Sequence, residues 1–188
     1  MSLVCLRRKT LAKTILLILG AGALFLAFPS GAISETTPSA NSKKHFLFHI
    51  KTSLEKDDAQ ICVAPNLAWA ALHGGHRVTL LFDGSAVTSV KKKWRILGPA
   101  ATDMDRAPLP DREKKALAEQ FNEKLETIPD NYGDYLAFLK ERGAKLYINK
   151  TMTVLYNIDS SEIDPNLTPV SLSEMVKAME NADIYIVY

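Results

Sequence analysis

Ala70-Ala71-Leu72-His73-Gly74-Gly75-His76, running into Arg77-Val78-Thr79-Leu80-Leu81-Phe82-Asp83-Gly84, is the stretch on which the fold turns. An alanine-rich helix end meets two glycines, which stop a helix at its C-cap. The apolar run Arg77–Phe82 then has the length and composition of a buried strand. Asp83-Gly84 turns the chain into a short helix toward Lys92.

Working outward, His45–Ile50 is a second short apolar run between polar turns, hence another buried strand. Asp57 and Asp58 cap a helix over Ala59–His73. Pro65 inside it requires either a kink or a later start. Downstream, Gly98 to Pro110 reads as a long loop. Asp111 opens an amphipathic helix over 111–126, whose Leu117, Phe121 and Leu125 recur at helical spacing and cover its own sheet. Asp130 caps a helix with Tyr132, Tyr135, Leu136 and Leu139 on one face, ended by Gly143. Lys145–Ile148 is a third strand. Ser171 and Glu174 form a capping box before Leu172, Met175, Val176 and Met179. Asp183–Tyr188 closes the chain as a strand. Strands alternating with helices predict a three-layer α/β/α domain on a mostly parallel sheet, of flavodoxin-like architecture.

The 188 residues are 47% hydrophobic and 23% charged, an ordinary globular composition. The formal charge of +2 belongs to the leader. Residues 1–34 carry Arg7, Arg8, Lys9 and Lys13 and no acid, which leaves 19 basic against 21 acidic residues in the remainder. A body at −2 lacks the basic excess of a nucleic-acid binder. Lys91-Lys92-Lys93-Trp94 is too short a run to change that.

The leader has the three parts of a secretory signal: positive residues, the apolar run Ile15–Phe28, and Ala32-Ile33-Ser34 as a small-residue cleavage site. The same run is long enough to serve as an uncleaved inner-membrane anchor. Arg7-Arg8-Lys9-Thr10-Leu11 partly matches a twin-arginine export signal. Either way the body faces outward, into the periplasm. Residues 35–44 are a polar linker. Residues 45–188 are one domain, without internal repeats.

Three stretches together resemble the DsrE/DsrF-like family of small sulfur-relay proteins. They are His45–Ile50 with the helix–glycine–strand unit ending at Gly84, then Tyr135–Ile148, then Ala182–Val187. The segment near 98–128 stands as an insertion. The resemblance implies a DsrEFH-like three-layer fold and assembly as a homo-oligomer or with related DsrE-like subunits. It also implies a sulfur-accepting cysteine just past the strand that follows Gly143-Ala144. That position is Asn149, and an amide cannot form a persulfide. The family's defining chemistry therefore does not carry over.

Two other candidate sites come from the residues themselves. Ligands of open parallel sheets bind beyond the carboxyl ends of the strands. There the chain offers Lys51-Thr52-Ser53, Asp83 and Asn149-Lys150-Thr151, a set suited to a small anion. Cys62 is the one cysteine beyond the leader, in the first turns of a helix whose dipole lowers a thiol pKa. It shares a flank with Asn66, Trp69 and His73, which fits a subunit contact, a pocket edge, or a small apolar residue packed beside Trp69. His45 and His49, four apart on a strand, lie about 13 Å apart and do not chelate. With no HExxH, CxxC, GxSxG or GxGxxG, neither a metal nor a cofactor is expected.

The expected function is an exported, non-catalytic DsrE-like protein, a binding or assembly partner in a periplasmic sulfur or redox pathway. Two alternatives stand beside it. One is a sulfur carrier or redox protein using Cys62. The other is a binder of small anions or ligands at Thr52, Ser53, Asp83, Asn149, Lys150 and Thr151.

Overall fold

A computed structural model of the chain describes residues 42–94 and 98–188. The leader, its cleavage site and most of the linker lie outside the described residues. Among the described residues no helix is long and apolar enough to cross a membrane.

Strands β1 (His45–Ile50) and β2 (Arg77–Phe82) form where their apolar runs predict. With β3 (Lys145–Asn149), β4 (Thr168–Val170) and β5 (Ile184–Val187) they build one sheet, in the order β4-β3-β2-β1-β5. Every pairing is parallel. Successive side chains of a strand point to opposite faces, and this alternation divides the core. Phe48, Ile50, Leu80, Phe82, Leu146 and Ile148 pack on helices α1 (Asp58–His73) and α4 (Tyr132–Glu141). Leu47, Leu81 and Val170 face the other way and meet Met175 of the later helix Leu172–Glu180. Helices thus cover both faces, and the α/β class expected from the sequence is the one observed.

Helix α1 starts at Asp57, whose carboxylate accepts from the Gln60 N–H at 3.4 Å, and is capped at Gly74. Gly75 takes φ +79°, the left-handed region in which glycine is unstrained. The helix runs on through Pro65, which is buried, so neither a late start nor a break occurs.

The expected long loop contains a one-turn helix, α2 (Asp103–Arg106), closed by a capping box between Thr102 and Asp105. Helix α3 (Asp111–Phe121) is shorter than its apolar spacing predicts. Asn122 at φ +52° ends it, so Leu125 leaves the stripe for a separate turn and is exposed. The cap of α4 is Asn131, not Asp130: its Oδ1 accepts from the Asp134 N–H at 2.8 Å, while Asp130 pairs with Lys114.

Besides α2, the sequence reading lacks α5 (Lys150–Leu155) and β4. Three residues with a central Pro169 carry no strand signal, and proline is tolerated there because β4 is an edge strand. The predicted capping box does open α6 (Leu172–Glu180): Ser171 Oγ accepts from the Glu174 N–H, and Glu174 Oε2 from the Ser171 N–H. Only Met175 of its apolar set is fully buried, while Leu172 and Val176 are exposed.

Candidate functional site

The carboxyl ends of β1, β2 and β3 come together as the sequence requires, and Gly84 draws the first two close. Gly84 sits at φ +51°, and a Cβ there would stand 2.9 Å from the Lys51 carbonyl oxygen. Ser85 completes the junction, accepting from the Ser53 N–H at 3.0 Å and bonding the Lys51 carbonyl oxygen through its own N–H at 3.1 Å.

His49, Asp83, Asn149 and Tyr185 each follow a residue that points to the α1 face, so all four side chains point to the α6 face. There they form one hydrogen-bonded line across four strands. Tyr185 Oη lies 2.6 Å from His49 Nδ1, and His49 Nε2 lies 2.9 Å from Asp83 Oδ2. Asp83 Oδ1 accepts from Asn149 Nδ2 at 2.7 Å. Asn149 Oδ1 in turn accepts from the Thr151 and Met152 N–H groups and caps α5.

Each proton in this line has a place. Burial alone would push the Asp83 carboxyl up, but the Asn149 amide, the Gly84 N–H and His49 outweigh it and hold the carboxyl below its ordinary 3.8. Asp83 is therefore an acceptor only, and His49 Nε2 must carry the hydrogen it donates. Burial also lowers the imidazole below its ordinary 6.5, against the hydrogen bond and charge of Asp83, with Lys51 adding to the lowering. A neutral His49 leaves Nδ1 as a lone pair, which accepts from the Tyr185 hydroxyl. Burial, then the charge of Asp83, raise that phenol above 10.0, so it keeps its hydrogen.

Of the six strand-end residues expected to bind a ligand, the fold joins Asp83 directly to Asn149. Ser53 is buried under the turn, and Lys150 and Thr151 are exposed at the start of α5. Thr52, next to Ser53 in the chain, is half-buried. The amides at that helix start, which an anion would seek, are already held by Asn149 Oδ1. His49 and Tyr185 are the members the sequence does not announce. They stand 34 and 102 residues from Asp83, and only sheet register makes them neighbours.

No protein-family model and no curated protein matches the chain. Solved structures do resemble it. MTH1491 of Methanobacterium thermoautotrophicum, a protein of unknown function, superposes with a TM-score of 0.50 at 9% identity, covering 78% of this chain and all of that one. The ychN protein of E. coli gives 0.48 at 14% identity, with 78% and 99% coverage. The likeness to MTH1491 is one of fold: it agrees with an α/β architecture of helices on a parallel sheet and carries no residue roles.

Cys62 lies on the other side of the sheet, in a polar seam between α1, α3 and α4. Tyr132 hydrogen-bonds both Cys62 and the Glu113 carboxylate, the latter at 3.0 and 3.2 Å. Asn66 donates to Glu113 at 2.8 Å and accepts from Tyr135 at 3.1 Å. Trp69 stacks on Phe121 at 4.3 Å and meets Phe138 edge-on at 4.8 Å. His73 lies 5.3 Å from the Phe121 ring. Helices α3 and α4 thus pack against this flank around buried Trp69, leaving Cys62 and Asn66 half-buried and His73 exposed. Among the described residues no group of three or more His, Cys, Asp or Glu side chains could hold a metal ion.

The buried imidazole makes stability depend on pH. Because the folded state holds His49 below 6.5, the unfolded chain takes up the proton first as pH falls. Stability is complete well above 6.5 and is lost as pH drops through 6.5 toward the folded value. The melting temperature is expected to be lower at about pH 5.5 than at about pH 7.5. The drop should be smaller in His49→Gln, as thermal melts of both proteins across that range would check.

Proposed function

We propose that the chain is an exported, DsrE-like binding or assembly subunit of a periplasmic sulfur or redox pathway, one that does not carry sulfur covalently. The observation behind this reading is the bonding of Asn149. Its nitrogen is committed to Asp83 and its oxygen to the start of α5, so the place where the family resemblance implies a sulfur acceptor holds a buried structural amide. Cys62 stands apart from that place, half-buried on the opposite face beside the Tyr132 hydroxyl. Assembly with its own copies or with related subunits is supported by apolar surface on α5, α6 and β5. Val154, Leu155, Leu172, Val176 and Val187 are all exposed there.

Intact mass of the exported protein, before and after a persulfide donor, tests the reading. The expected spectrum is unchanged by the donor and shows the chain without residues 1–34. A gain of one sulfur that disappears in Cys62→Ala would replace this reading with a Cys62 carrier.

A further inference from the structure

The Tyr185–His49–Asp83 line has the parts of an activated hydroxyl. A nucleophile is made effective when an adjacent base can take its proton and a third group orients that base. Here Asp83 fixes the imidazole with Nε2–H toward itself, and the lone pair of Nδ1 faces Tyr185 Oη at 2.6 Å. His49 is 4% exposed, whereas Tyr185 is 47% exposed, so the base is shielded from solvent and the tyrosine that it contacts lies at the surface. The two rings are tilted, with centroids 5.8 Å apart, so they meet through the hydroxyl–imidazole hydrogen bond rather than by stacking.

We propose that Tyr185 is a covalent modification site, whose hydroxyl takes an acyl group from an activated acyl donor with His49 as proton acceptor. Oη forms the new bond to the acyl carbon while its O–H bond breaks and the proton moves to Nδ1. The bond from the acyl carbon to the leaving group breaks, and the leaving group then receives that proton from His49. Asp83 holds the transient imidazolium. Tyrosine ester and protonated leaving group are the only products, and no electrons change hands. The site does not depend on whether the chain binds a sulfur pathway.

Tyr156 supplies an internal control, because it is 42% exposed and its hydroxyl has no hydrogen-bond partner among the described residues. Burial and Asp83 disfavour the Tyr185 phenolate, so without His49 this tyrosine would react more slowly than an ordinary exposed one. The probe is N-acetylimidazole, with each tyrosine followed by peptide mass mapping of the full chain at neutral pH. Tyr185 is expected to acetylate at least about tenfold faster than Tyr156, since a positioned base contributes roughly 10²-fold or more and the raised pKa of the phenol offsets part of it. His49→Gln should remove that excess and leave Tyr156 unchanged, and Tyr185→Phe should remove the fast adduct. Equal rates at the two tyrosines, or an excess that survives His49→Gln, would overturn the proposal. Should His49→Gln fail to fold, long-range proton–nitrogen NMR of His49 in the unsubstituted protein decides the geometry. A hydrogen on Nε2 supports the relay, and one on Nδ1 removes it.

Discussion

Trp69→Ala is expected to destabilise the domain by about 4 kcal/mol, the usual cost of emptying a large aromatic site in a core. The indole is 1% exposed and is the largest fully buried side chain. It touches Phe121 of α3 and Phe138 and Tyr135 of α4, so it joins α1 to both helices at once. Arg142 lies 3.4 Å from the Phe138 ring centre and extends the cluster to the end of α4. The cavity left by alanine cannot close without moving α3, whose apolar hold is limited to Leu117, Ala118 and part of Phe121 beside the polar bonds of Glu113 and Lys114. Urea titration followed by circular dichroism measures the loss. The only other tryptophan, Trp94, is 84% exposed, so Trp94→Phe should leave the midpoint within experimental error and give Trp69 fluorescence as a clean reporter.

Asp83→Ala carries the second large effect. Asp83 is the one acceptor shared by His49 Nε2 and Asn149 Nδ2, and both of those residues are buried. Alanine leaves two buried donors without partners, at roughly 2–4 kcal/mol in total. The melting temperature should fall by roughly 10 °C for a domain of this size. Asp83→Asn should cost less, because an amide oxygen can still accept from one of the two donors. Equal losses for the two substitutions would show that charge, rather than hydrogen-bond satisfaction, holds the strand ends together. Differential scanning calorimetry of both variants at neutral pH makes the comparison.

The two central strands and the long first helix are legible because their signals are local. The ends of β1 and β2 coincide with their apolar runs, and Asp57, Gly74 and Gly75 bound α1 by chemistry acting within a turn. Where a signal is weak or shared, the sequence misplaces a boundary. Leu125 has the spacing to continue α3, but Asn122 has already left the helix. Thr168–Val170 shows no pattern of its own and becomes a strand only because β3 offers it an edge.

The candidate site divides in the same way. Asp83 and Asn149 are readable in the sequence as strand-end polar residues. Their contact is not readable, nor is the conversion of Asn149 into a cap and a clamp. Cys62 reads as a thiol on a helix flank, and only the fold shows that α3 and α4 pack around it and leave it half-buried beside Tyr132.

By itself the sequence determined the alternation of strands and helices, the class of the fold and the absence of a cysteine at position 149, since these depend on residues close along the chain. The tertiary structure alone decided that Tyr185, His49, Asp83 and Asn149 form one line. Parallel pairing of β5, β1, β2 and β3 sets which side chains share a face and a level, and that register is a property of the assembled sheet.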